Sequence, residues 1–349
     1  MRRPAAFALL AIAAGLFATL WRPSPQWVES AYANGFYPVW ERTIYQLTSR
    51  LPWSLGDLVV LAGAAALLWC LWSRQWLGAL AMLGIYAFWF EASWAWNYNR
   101  APIETRVVYV AQNENENALR ELRARAVANV NRLAPLAHAH AGMPLDTDRL
   151  YTDWLPVVQA GGDTWTPLTY PPKPTLADPF MNATGTSGYI NPFTLNSHLA
   201  TDLLWFERPF ALAHEWSHVA AYAREDEANY LAILATTRSS DPVEAYSGWL
   251  SLFLYLPPLQ HYSKSTFSPL VWSDFAAIRK RNAERINLNL ATLSWRTYNT
   301  YLKSNHIGSG IENYNEVIRL YLGIPLDARG LPIPLHAAAM SSSTPLGTK

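Results

Sequence analysis

Cysteine is all but missing: Cys70 is the single one in 349 residues. A lone cysteine excludes an intrachain disulfide and any zinc knuckle built from paired thiolates. Charge is scarce too, with 15% Asp, Glu, Lys and Arg against about a quarter in ordinary globular chains. The net charge is +1 and no basic block occurs, which removes nucleic acid from the expected partners. No internal repeat is present. The remainder is apolar: 51% of residues are hydrophobic and 17 are Trp, a balance that points to membrane contact.

Three apolar runs occupy the first hundred residues. "PAAFALLAIAAGLFATLW" (4–21) follows Arg2 and Arg3 and has about the length needed to cross a bilayer. A signal peptide is the competing reading, with Ala31-Tyr32-Ala33 as a small-residue cleavage pattern. That pattern lies well beyond the apolar run, and further spans follow, so an uncleaved anchor is expected. "LGDLVVLAGAAALLWCLW" (55–72) and "WLGALAMLGIYAFWFEASWAW" (76–96) are separated only by "SRQ", which predicts a helical hairpin. Trp72 and Trp76 sit at one end and Trp94 and Trp96 at the other, the pattern of an interfacial aromatic belt. Glu91 is expected at that interface. Arg2, Arg3 and Arg74 favour the cytoplasmic side, although Arg22, Arg42 and Arg50 in the first loop pull the other way. Three crossings place everything after residue 97 on the outer side of the membrane. Residues 1–99 are therefore read as a membrane anchor.

From Arg100 onward no run reaches spanning length. "ENENALRELRARAVANVNRLA" (114–134) reads as an amphipathic helix. Residues 141–192, rich in Pro, Gly and Thr, read as loops with short strands, "SGYINPF" (187–193) being the best strand. Helices are expected at 208–222, 225–237, 242–256, roughly 269–304 and 311–323. Asp241-Pro242 gives the third of these a cap and a first-turn proline. Residues 100–325 form the expected soluble domain, and 326–349 a disordered tail.

One stretch carries chemistry: "AHEWSHVAAYAREDEANYLA" (213–232). On a helix, His214 and His218 project from one face about 6 Å apart at Cα, a spacing that lets two imidazoles share a tetrahedral zinc ion. Glu215 points to a neighbouring sector, where it can act as general base towards a water that the metal activates. A continuous helix would carry the following acids out of reach. The chain must therefore turn between about Ala220 and Arg224, and a second helix must present the third ligand. Glu225 shares a face with Asn229, which favours Glu225 over Glu227 and gives Asn229 a supporting place beside a ligand histidine. The bland alternative is that these acids only complement a helix N-terminus.

The chain resembles, over most of its length, the bacterial domain-of-unknown-function family 3810. The likeness rests on "LPWSLGDLV", "WAWNYNRAPI", "SGYINPF", "RPFALAHEWSHVAAYAREDEANYLA", "YSGWL" and "YNTYLKSNHIGSGIENYNEVIRLYL". It implies membrane spans joined to an H-E-x-x-H domain and supplies no substrate. "EDEAN" is also similar to the E-x-x-A-D element of CaaX-processing membrane zinc peptidases, which implies Glu225 as third ligand. One departure stands out: where the family often has Gly three residues after the second His, this chain has Ala221. An Ala in a left-handed turn costs on the order of 1 kcal/mol.

The expected fold class is therefore mainly α: a bundle of three transmembrane helices followed by a mostly helical zincin-like domain with a small β element. The expected activity is that of a membrane-anchored zinc metallopeptidase acting on extracytoplasmic or membrane-proximal peptides. His214, His218 and Glu225 hold zinc, and Glu215 is the general base. "SGYINPF" is expected beside the cleft, where an extended peptide could add to it. Tyr314 is a candidate oxyanion donor, with core packing as its alternative. His138 and His140 read as surface residues; His198, His261 and His306 have no ligand spacing around them. A scaffold with a structural or vestigial zinc is the competing function, and a non-peptide hydrolase with the same ligands is a third.

Overall fold

In the computed structural model, which describes residues 2–258, 262–304 and 314–335, helix α1 (Arg2–Leu20) is followed by a single turn, α2 (Pro25–Trp27). A π-helical stretch, Val28–Phe36, then runs into α3 (Tyr37–Thr48). Helices α4 (Leu55–Trp72) and α5 (Trp76–Ser93) form the expected hairpin. Ser54 opens α4 by accepting the Asp57 amide, and Arg74 reverses the chain in the left-handed region. Both α4 and α5 are long and apolar enough to cross a membrane. The first expected span, 4–21, stands differently: it is one arm of a pair, Pro4–Leu20 and Pro25–Thr48, bent by 109°, and brings the possible spans to three only as that pair.

Small residues bring α1 against α5. Ala8, Ala11 and Ala81 are buried between them, and a Cβ on Gly84 would come within 2.4 Å of the Ala11 carbonyl oxygen. Where lipid makes burial from water irrelevant, such close backbone approach supplies the van der Waals contact. Gly15 meets Gly84, and Trp96 Nε1 reaches the Ala18 carbonyl, so α1 and α5 run in the same direction.

The rest of the chain is α6 (Glu116–His138), α7 (Thr147–Ala160), α8 (Asp178–Thr184), strands β1 (Gly188–Ile190) and β2 (Ser197–Leu199), then α9 (Arg208–Val219), α10 (Glu225–Thr237), α11 (Pro242–Tyr255), α12 (Pro269–Arg285), α13 (Leu288–Ser304) and α14 (Tyr314–Gly323). Helix α10 is buried on every side from Asp226 to Thr236 and packs on α7, α9, α11 and α14. It is the central element, as an all-round apolar helix should be. One core gathers α7, α9 and α10; a second gathers α6, α11, α12 and α14.

A third core joins residues from both sides of residue 99. Val28, Tyr32, Tyr37, Trp94 and Tyr98 pack with Val219, Ala221 and Ala223 from the turn between α9 and α10. Packing is thus continuous across residue 99. Three local expectations are corrected. Residues 141–192 are loops interrupted by two helices, α7 and α8, and the one strand among them, β1, pairs antiparallel with β2. The helix expected over 269–304 is interrupted at Ile286, which is extended. Residues 326–335 are no loose tail: Leu326 bridges Pro332, Val107 bridges Pro334, and Leu331 is buried. Residues 336–349, His261 and His306 lie outside the described residues.

Candidate metal centre

Helix α9 starts with Pro209 in its first turn, where the missing amide costs nothing. It ends at Val219, and Ala221 then adopts φ +69° while the Ala221 and Tyr222 amides donate to His218 and Ser217 carbonyls. This left-handed reversal is where the sequence requires a turn, and an Ala occupies it. The carbonyls left over at the helix end are met by segments from the first hundred residues. Tyr37 donates its hydroxyl to Val219 at 2.9 Å, while Trp94 and Arg100 reach the His218 and Ala220 carbonyls at 3.5 Å. After the turn, α10 begins with Glu225.

The reversal brings Glu225 back to the two histidines. His214 Nε2 and His218 Nε2 are 3.1 Å apart, His214 Nε2 is 3.3 Å from Glu225 Oε2, and His218 Nε2 is 3.7 Å from Glu225 Oε1. Two donors bound at about 2.1 Å to one tetrahedral ion stand about 3.4 Å apart, so this donor set fits a zinc-sized cation without rearrangement. Among the described residues it is the one group of three or more His, Cys, Asp or Glu side chains close enough to hold a metal. His218 Nδ1 lies 2.7 Å from the Tyr222 carbonyl. A carbonyl only accepts, so Nδ1 carries a proton; a metal would then take the place of the second proton, on Nε2, whose lone pair is free only in the neutral ring. His214 Nδ1 is buried with no hydrogen-bond partner among the described residues. Asn229 lines the same cavity but bonds neither histidine in the described structure; the Tyr222 carbonyl takes the supporting place expected for it.

Electrostatics hold the cluster together. Burial raises the Glu225 carboxyl, but His218 and His214 outweigh it and keep Glu225 well below the ordinary carboxylate range. Burial lowers the His218 imidazole, yet Glu225 beside it raises it to about 9. Burial pushes the Glu215 carboxyl up to about 7 against the pull of both histidines. Glu215 Oε2 has no hydrogen-bond partner among the described residues, and Oε1 sits against β1, where a Cβ on Gly188 would lie 2.7 Å away. Gly188 is therefore required to let the strand pass over Glu215.

The cluster faces a cavity of about 980 Å³, lined also by β1. Glu227, the alternative ligand, points elsewhere: it accepts the Ile103 amide at 2.8 Å and lies beside Arg106 and Arg224. Asp226 pairs with Arg224. Tyr314 opens α14, but its side chain lies outside the described ones. The hydroxyl that does reach the cluster is Tyr298 of α13, which donates to Glu225 Oε1. Sequence reasoning missed it, since nothing in the periodicity of 269–304 says which turn of that helix meets the site. His198 is buried in β2, bonded to the Lys173 carbonyl. His138, read as a surface residue, is instead only partly exposed and pairs with Asp274.

The family model described as "Protein of unknown function (DUF3810)" matches residues 32–322. The matched stretch includes α4, α5 and every side chain of the cluster. No curated protein and no solved structure matches the chain.

Proposed function

The chain belongs to this family of unknown function, and from its site we propose that it is a membrane-anchored, zinc-dependent metallopeptidase of zincin-like design. The observation that carries this reading is a donor set of two imidazoles and one carboxylate at zinc-binding separations, open to a large cavity and flanked by a carboxylate that ligates nothing. His214, His218 and Glu225 would hold the metal. Zinc bound there would supply Lewis-acid activation of a water molecule and of the peptide carbonyl.

The residues of the chain do the rest. Glu215, which lines the cavity and has an unpartnered Oε2, would take the proton of the attacking water and pass it to the leaving amine. Water thus adds across the C–N bond to give a carboxylate and an amine. Strand β1 spends only one edge on β2, so its other edge is available to an extended peptide backbone. Tyr298 is placed to donate to the developing oxyanion once Glu225 is engaged as a ligand. A structural site would close its fourth position with another protein ligand, and no further His, Cys, Asp or Glu joins this cluster among the described residues.

We place the protein in the bacterial cytoplasmic membrane with the site on the outer side. Because α1 and α5 run in the same direction, the start of α1 and the α4–α5 turn with Arg74 share the end of the bundle away from the site. Arg2, Arg3 and Arg74 at that end suit the cytoplasmic face.

The test uses the full chain in nanodiscs, loaded with zinc and offered a mixed peptide library. Glu215→Gln should keep the metal and lose cleavage by about a hundredfold or more. Zinc-loaded wild type that cleaves no peptide, or Glu215→Gln that cleaves at the wild-type rate, would favour a scaffold with a structural metal.

A further inference from the structure

The cavity at the cluster is not confined to the soluble part of the chain. Val60 and Leu61 of α4 and Phe90 of α5 line it together with His214 and Glu215. Both helices are long and apolar enough to cross a membrane. Val60 and Leu61 are at the same time 46% and 51% exposed, so they stand at the mouth of the cavity and not on its floor. They follow the first residue of α4, Leu55, at a distance of about 8 Å along the helix axis. An 18-residue helix is about as long as the hydrocarbon core is thick, so in a spanning α4 this depth lies within the hydrocarbon.

The opposite rim of the mouth is apolar as well. Leu176, Phe180 and Trp295 line the cavity and are 71%, 48% and 43% exposed. A cleft that served only water-soluble peptides would pay hydration free energy for such a collar; one that meets acyl chains would not. Asp57 fixes the two rims relative to each other, its carboxylate accepting the Thr175 hydroxyl and the Leu176 amide.

The inner wall asks for a peptide backbone. Ser187 accepts the Ala200 amide and Asn191 donates to the Asn196 carbonyl. In an antiparallel ladder the groups alternate, so Gly188 and Ile190 turn their amides and carbonyls to the edge away from β2. An acyl chain makes no use of such an edge, whereas an extended peptide pairs with it.

We propose that the substrate class of this site is a membrane-anchored peptide, in which an extended segment pairs with β1 while an adjoining hydrophobic segment enters from the bilayer between Val60 and Leu61 on one side and Phe180 and Trp295 on the other. The proposal rests on the peptidase reading above and makes it more specific.

The experiment places the full chain, carrying Glu215→Gln and a benzophenone amino acid at position 61, in phospholipid nanodiscs. A second chain carries the benzophenone at position 60, in case the first does not fold. The probes are a library of random polar segments fused to a Leu/Ala helix of about 20 residues, and the same segments without the helix. Cross-linked products are identified by mass spectrometry, and cleavage of both libraries by the zinc-loaded wild type is measured in parallel. Anchored segments should cross-link and be cleaved about tenfold or more above the free ones, and Leu61→Trp should lower cleavage of the anchored library alone. Equal use of free segments would overturn the substrate class and leave the peptidase standing. Cross-linking to phospholipid alone would overturn it in favour of a lipid ligand. Anchored peptide that cross-links but is never cleaved would uphold the occupant and remove the hydrolase.

Discussion

At the scale of single residues, the cluster separates Glu225 from Glu227 by where each points after one turn. The face argument made from sequence works because helix geometry fixes which residues of α10 share a side, and Glu225 opens that helix. Tyr298 was not legible in the same way. Its hydroxyl arrives from a helix about seventy residues downstream in the chain, and no local pattern reports such a contact. Its role can be tested directly. Tyr298→Phe should leave zinc content unchanged and lower kcat by about tenfold or more with little change in KM, the signature of a donor that acts on the transition state. Unchanged kcat in a zinc-loaded Tyr298→Phe chain would reduce Tyr298 to a packing residue.

Among the elements, the reversal between α9 and α10 decides whether there is a site. Its position was legible because two histidines on one helix need a third ligand that no straight helix could deliver. Its chemistry is unusual, because Ala221 holds φ +69°, a region that Gly enters without the steric cost of a Cβ. Ala221→Gly should therefore raise stability by about 0.5–1 kcal/mol, the relief of strain outweighing the added freedom of the unfolded chain, with metal retained. Ala221→Val, β-branched and fully buried there, should lower the melting temperature; a Val variant as stable as wild type would contradict the strained turn. Other elements were harder to read. Helix α7 has Pro156 in its interior and α8 is only seven residues long, so neither shows an unbroken helical period, and the Pro, Gly and Thr around them look like loop. The break at Ile286 leaves no Gly or Pro in the sequence to announce it.

For the whole molecule, distance along the chain proved a poor guide. Residues 37, 94 and 100 are more than a hundred positions from the motif helix, yet they meet its terminal carbonyls. A buried charge network reinforces the same junction. Arg100 pairs with Glu29 at 2.8 Å and with Asp163 at 2.6 Å, and Arg100 and Arg106 both lie against the Tyr222 ring whose backbone carbonyl holds His218. Removing Asp163 leaves Arg100 with Glu29 as its remaining carboxylate, so the loss is one charge-assisted hydrogen bond and not the whole pairing, about 1.5–3 kcal/mol. Asp163→Asn should accordingly destabilise the chain by an amount near that range and weaken zinc retention, although Asp163 touches no ligand. A thermal melt and metal content unchanged by Asp163→Asn would show that the junction does not support the site.

The central claim is that His214, His218 and Glu225 together hold a zinc ion, and the most direct measurement is metal content by inductively coupled plasma mass spectrometry on the purified full chain. The account predicts about one zinc per wild-type chain, the same in Glu215→Gln, and little or none in His218→Ala and Glu225→Gln, as expected for a site with three protein ligands. Wild-type chain without zinc after reconstitution, or zinc undiminished in His218→Ala, would contradict it.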